Sequence, residues 1–176
     1  GAKEILVKAV IQSIPVYAMA VFKIPKKLCK EINDAMSAFW WGDSDDQKRM
    51  HWFAWWRMCI PKKLGGMGFR DLYSFNLAML AKQSWRILNN PNSLHSQVMR
   101  SKYFPNGNFL KAGPKRGSSF TWQSIVAGLQ TFWRGHIWRV GPRTKINIWE
   151  DHWVPNSHNK KIILKEEIYS SKQWMN

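Results

Sequence analysis

The sequence predicts a mainly α fold carrying one small antiparallel β-hairpin. Three observations predict it. Apolar residues recur at helical spacing through most of the first 130 positions. Alternation with a period of two shows only near the C-terminal end, in two short runs around Gly141-Pro142-Arg143-Thr144. The chain is 45% hydrophobic with 12 tryptophans, which is enough apolar matter for a sizeable core and excludes disorder over most of its length.

Taken in order, Lys3 to Phe22 reads as a helix with Ile5, Leu6, Ala9, Val10, Ser13, Val16, Tyr17 and Ala20 on its apolar face. Pro15 should kink or split it, because proline removes a helical hydrogen bond and clashes with the preceding turn. Ile24-Pro25 ends that element, and Lys26 to Trp41 forms the next, with Leu28, Ile32, Ala35, Met36 and Phe39 inward. Gly42 to Arg49 is a polar loop, and His51 to Trp56 suits a short strand or a strand entering a helical turn. Gly65, Gly66 and Gly68 mark backbone positions of positive φ or close packing. The central helix follows from Leu72, capped by Asp71 and stopped by Asn89-Asn90-Pro91. Tyr73, Leu77, Leu80, Ala81, Ser84, Trp85 and Leu88 make one apolar stripe and Leu72, Phe75 and Met79 a second. That leaves Asn76, Gln83, Arg86 and Asn90 on a narrow polar face.

Ser93 should cap a further helix with Leu94, Val98 and Met99 on its apolar side. After a loop rich in glycine and proline, Ser118 or Ser119 should cap a helix containing Trp122, Ile125, Val126 and Leu129. His136 to Val140 and Lys145 to Trp149 form the hairpin. The reading divides the chain into 1–41, 42–155 and a weakly patterned tail, 156–176. The chain opens at Gly1 inside a predicted helix, without a methionine, as a fragment of a longer protein would.

Charge narrows the function. There are 27 basic and 11 acidic residues, a net charge of +16. From Leu72 to Trp149 no carboxylate occurs, while eleven lysines and arginines do. A basic stretch interleaved with aromatics points to a polyanionic partner, most simply nucleic acid; a basic, solvated surface is the plainer alternative. Lys111, Lys115 and Arg116 lie in a flexible loop just before a helix start, a setting suited to a backbone phosphate.

Other chemistries fit poorly. Cys29 and Cys59 are the sole cysteines and form no C-x-x-C, so they read as reduced core thiols. Asp43, Asp45 and Asp46 share one hydrophilic loop, unlike polymerase carboxylates fixed on adjacent strands. As an EF-hand they would need glycine where Lys48 stands and glutamate where Ala54 stands. The glycine turn lacks the Gly-Lys-Ser/Thr ending of a P-loop. Asp151-His152 has no serine or cysteine nucleophile tied to it by spacing. No apolar run is long enough to span a membrane, and Ala18-Met19-Ala20 only faintly mimics a signal-peptidase site before a strongly basic sequence.

The stretch GGMGFRDL followed by FNLAMLAKQSWRIL resembles a signature of plant LINE-type (non-LTR) retrotransposon polyproteins. The likeness runs from Gly1 to about Pro155, through KEILVKAVIQSIPVYAMAVFKIPKKLCKEI, FWWG, HWFAWWRMCIPKKLGG, RSKYFPNGNFL, SSFTWQSIVAG, W-R-V-G and I-x-I-W-E-D-H-W-V-P. A similar open reading frame occurs in plant mitochondrial genomes. The resemblance places its motif on Trp40, Trp41, Gly42, Trp52, Gly65, Gly66, Gly68, Phe69, Arg70, Asp71, Asn76, Lys82, Gln83, Trp85, Trp122, Gly141, Trp149, Asp151 and Trp153.

It implies a helical, thumb-like bundle over 1–41 followed by a Trp-rich helical linker domain, lying after the reverse-transcriptase palm and before a zinc-binding segment. Lys23, Lys26, Lys27 and Lys30 then become candidate phosphate contacts. The palm aspartates would lie upstream, so the chain should not polymerise by itself and should need no cofactor, whereas the parent polymerase would use a divalent metal, Mg by expectation. The implied partners are RNA or an RNA–DNA duplex, held without sequence preference, and the palm domain. The expected compartment is intracellular, the nucleus ahead of a mitochondrion, with no secretion and no membrane contact. A structural or protein-interaction module and a decayed retroelement remnant stand as alternatives.

Overall fold

A computed structural model describes residues 1–44, 47, 49–105 and 108–137. It divides into two compact units, Gly1–Phe132 and Trp133–Asn176. The described residues are mainly helical and include no strand. The hairpin expected over His136–Trp149 falls, apart from its first two residues, outside them.

The first element is split at Pro15, one of the two outcomes expected there. A short α1, Ala2–Ile5, passes into a π-helical segment, Leu6–Ile11, and α2, Val16–Met19, follows a turn that ends at Pro15. The Gln12 N–H donates to the Val7 carbonyl at 3.0 Å, five residues back. That wider turn shifts the buried face. Val7, Gln12 and Met19 are buried, while Ile5, Leu6, Val10 and Tyr17 of the expected face are exposed. A 3.6-residue period cannot foresee a π segment, which spaces inward residues differently.

The second helix, α3, spans Lys26–Trp41 as expected and ends in Gly42 at φ 79°. Its buried residues are Cys29, Met36 and Ser37; Leu28 and Phe39 face outward, so the inward face is rotated from the predicted one. His51–Trp56 forms no strand. Trp55–Met58 is a single helical turn, α4, and Trp52, Phe53 and Trp56 are exposed.

The central helix, α5, is Leu72–Asn89. Asp71 caps it, its carboxylate accepting from the Ser74 N–H at 2.9 Å. It touches α2, α3 and α6, Leu94–Tyr103. Its buried stripe is Leu72, Asn76, Leu80, Ser84 and Ile87, so Asn76, expected on the polar face, is fully buried, whereas Trp85 is largely outside. In α6, Ser93 caps as predicted, but Leu94 and Val98 are exposed and Ser96 and Tyr103 buried. The last described helix, α7, is Phe120–Gly135, with Trp122, Ile125 and Leu129 buried; Ser119 Oγ accepts from the Trp122 N–H at 3.3 Å.

Two apolar clusters hold the first unit. One joins Val7, Met19, Cys29, Met36, Met58, Phe69 and Leu72. In it Phe69 stacks on Trp55 at 5.1 Å and meets Trp40 edge-on at 5.1 Å. The other surrounds Trp122, stacked on Tyr103 at 4.4 Å with Phe104 and Phe109 beside it. The crossing of α5 and α7 is close because Gly128 lies against Leu80: a Cβ there would sit 2.6 Å from the Leu80 carbonyl carbon.

Candidate nucleic-acid interface

Asn76 builds the junction from which the candidate cations project. Its Nδ2 donates to the Met19 and Phe22 carbonyls, both at 2.8 Å, and its Oδ1 accepts from the Ile24 N–H at 2.8 Å. One buried amide thus pairs three backbone groups in the turn between α2 and α3, where no regular structure would pair them. Next to it the Lys23 N–H donates to Ser124 Oγ at 2.9 Å, and the Phe22 and Phe120 rings stack at 5.6 Å. The segment carrying Lys23 and leading to Lys26 is therefore fastened to the first turns of α7, which follow Lys115 and Arg116 in sequence. The Lys23 backbone and the start of the helix that follows Arg116 thus meet at one junction.

The cations differ in their surroundings. Lys23, Lys26, Lys27 and Lys30 are all exposed. Lys26 lies over the Tyr73 ring at 5.0 Å. Lys27 pairs with Glu31 at 3.9 Å and Lys30 with Asp34 at 2.7 Å, and the Asp34 carboxylate raises the Lys30 ammonium above its ordinary value. Those two carboxylates dilute the positive field along α3. The downstream loop has none. Lys111 and Lys115 line an open cleft of about 480 Å³ together with Tyr103, Phe104 and Pro105. Tyr103 is fixed there by two contacts: its hydroxyl donates to Ser119 Oγ at 2.8 Å and accepts from the Ser119 N–H at 3.2 Å. These bonds with Ser119 hold the phenol below its ordinary pKa. A cleft lined by aromatics and cations can seat a sugar–phosphate strand. The sequence reading found its lysines but not Tyr103 and Phe104, whose adjacency to the basic loop was the available signal.

The glycine motif is held from the other side by α1 and the π segment. Lys8 Nζ donates to the Met67 carbonyl at 2.7 Å and to Glu4 Oε1 at 2.9 Å, and Gln12 Nε2 reaches the Arg70 carbonyl at 3.4 Å. Glu4 also pairs with Lys62 at 2.6 Å. Hydrogen bonds from Lys62 and Lys8 pull the Glu4 carboxyl down to about 2. Gly65 and Gly68 have φ of 87° and 67°, and a Cβ at Gly66 would fall 2.0 Å from the Ile60 carbonyl oxygen, so both expected reasons for glycine hold. Sequence reasoning missed Glu4, Lys8, Gln12 and Lys62, whose pairing spans more than fifty residues.

Several of the remaining motif residues make local contacts. Trp41 stacks on His51 at 5.9 Å, Arg70 lies over the Phe75 ring at 4.7 Å, Gln83 accepts from Arg86, and Trp85 rests near Phe132 at 6.2 Å. Lys82 and Trp52 are exposed. Gly141, Trp149, Asp151 and Trp153 lie outside the described residues. Burial raises both thiols, Cys59 to about 11, with the Asp71 charge adding to it; they are neutral and unreactive at pH 7. Among the described residues, no group of three or more His, Cys, Asp or Glu is placed to hold a metal, and no helix is long and apolar enough to cross a membrane.

The sequence is 39% identical over 143 residues to the "Uncharacterized mitochondrial protein AtMg00310" of Arabidopsis thaliana, covering 81% of this chain and 93% of that protein. The chain belongs to that family. A second relative, the "Putative ribonuclease H protein At1g65750" of the same plant, is 35% identical over 153 residues, 85% of this chain but 24% of the relative. Both relatives are plant and retroelement-like, and the family is retroelement-related. No family model matches the chain, and no solved structure matches it.

Proposed function

We propose that this chain is a non-catalytic segment of a LINE-type retroelement RNA-directed DNA polymerase, the thumb and following linker. It would hold template–primer or element RNA through backbone phosphates. The observation that carries this reading is the open cleft lined by Lys111, Lys115, Tyr103 and Phe104. It lies in a stretch without carboxylates, with Lys23 and Arg116 on segments fastened to the same junction. Contacts of this type neutralise phosphates and release counterions, so affinity falls steeply with salt and depends little on base sequence. The segment itself performs no polymerisation and takes no cofactor in this reading; the divalent metal belongs to the parent polymerase. The activity in the longer relative's name belongs to that protein, of which this chain matches 24%. The compartment is intracellular, and the printed name of the first relative favours the mitochondrion over the nucleus.

The test is binding to an RNA–DNA duplex and to single-stranded RNA across a salt series. A steep slope that is reduced in Lys115→Glu with Arg116→Glu supports the reading. A folded sample that binds neither at low salt removes it. One observation favours a second reading, a packing module for the palm or another protein: Ile5, Val10, Ile14 and Tyr17 form an exposed apolar stripe on the first helices.

A further inference from the structure

A second cavity, of about 460 Å³, is lined by Trp40, Trp41, Phe53, Arg57, Gly66 and Met67, among others. Phe53, which lines it, is 53% exposed, and its sequence neighbours Trp52 and Trp56 are 73% and 65% exposed, three large aromatics in five residues that no described element covers. Arg57 lies over the Trp56 ring at 5.7 Å. Arg49 reaches within about 4 Å of the space beside Gly42, next to Trp41, and Lys63 is exposed on the glycine loop. The one described carboxylate in this segment, Asp43, is engaged by the Arg49 N–H at 2.9 Å and by His51 at 3.0 Å. Asp45, Asp46 and Lys48 of the adjoining loop lie outside the described residues.

We infer that this pocket receives an unpaired nucleobase of single-stranded nucleic acid, whose flanking phosphates meet Arg49, Arg57 and Lys63. Aromatic faces accept any base by stacking, and cations beside them track the backbone; together they distinguish a single-strand site from a purely apolar seat. An aliphatic side chain of a partner protein would use the aromatic walls but leave the arginines unanswered. A paired base cannot enter, because its faces are already stacked in the duplex. The inference rests on the nucleic-acid reading above and adds a strand preference to it, at residues distinct from the Lys111–Lys115 cleft.

The experiment uses the whole chain and a short single-stranded RNA carrying one 2-aminopurine, against the same strand in an RNA–DNA duplex. Stacking in the pocket should quench the 2-aminopurine. Phe53→Ala with Trp56→Ala should reduce the quench and weaken single-strand binding about tenfold, with duplex binding unchanged. Circular dichroism and thermal melting check the fold, and Arg57→Gln, an exposed single change, serves if the double variant misfolds. It should weaken single-strand binding while leaving duplex binding as it was. Strand binding without quench, and equal affinity in the variants, overturns the pocket and leaves the phosphate reading in place. In that case competition by an apolar peptide would assign the cavity to a protein side chain. Failure to bind either strand form overturns both.

Discussion

Two regions fasten the first helices to the rest of the unit by opposite means. At the glycine motif the link is charge: Glu4 bridges Lys8 and Lys62, and Lys8 reaches the Met67 carbonyl. At the turn between α2 and α3 the link is a neutral amide, Asn76, wholly buried and bonded to three backbone groups. Exposed ion pairs are screened by salt and cost side-chain entropy, so each contributes little. A buried amide competes with no water, and its removal leaves desolvated donors and acceptors without partners. The junction that places the candidate cations is thus fixed by the robust device, and the glycine motif by the tunable one.

The sharpest way to break this contrast is Asn76→Ala. It orphans the Ile24 N–H and the Met19 and Phe22 carbonyls, and should cost about 3 kcal/mol or more in urea unfolding. A loss below about 1 kcal/mol would mean that the junction is held by packing. Gly128→Ala comes next. The added Cβ meets Leu80 and Ala81 backbone, and forcing α5 and α7 apart should cost about 2 kcal/mol. An unchanged melting temperature would show that the crossing relaxes freely. Asp71→Ala removes the cap of α5 and should cost about 1 kcal/mol by the same measurement.

The smallest effect lies in the charged link and is read in pH. The Glu4 carboxyl is lowered from 4.5 to about 2, so its contribution is fully present above about 4.5 and is lost as pH falls through about 2. Glu4→Gln should flatten that acid limb of the stability curve, lowering stability slightly at neutral pH and leaving it unchanged below about pH 2. High salt should imitate the variant at Glu4 and leave the Asn76 junction untouched. A wild-type acid limb identical to that of the variant would remove Glu4 from the account.

How legible each region was follows from the range of its interactions. The caps at Asp71 and Ser93 were readable because a cap acts over three residues. The glycines were readable because a positive φ or a near-contact admits little else. The basic loop was readable from composition. The faces of the first helix, α3 and α6 were not. A π turn displaced one of them, and in the others small polar residues such as Ser37 and Ser96 took inward positions that hydrophobicity assigns outward. HWFAWW reads as a strand, or a strand entering a helical turn, because aromatics favour strands, yet only its last two residues join a helical turn, and Trp52, Phe53 and Trp56 are exposed.

By itself, then, the sequence determined the helical class, the extents of α3, α5 and α6, the caps of α5 and α6, the glycine turn and the excess of positive charge. Each is set by neighbours a few residues apart or by composition. Only the tertiary structure decided that Asn76 points inward, that Glu4 and Lys8 grip a loop some sixty residues away, and that Lys111 and Lys115 share a cleft with Tyr103 and Phe104. Those outcomes depend on which backbone groups the folded chain leaves unpaired and on which distant side chain reaches them first.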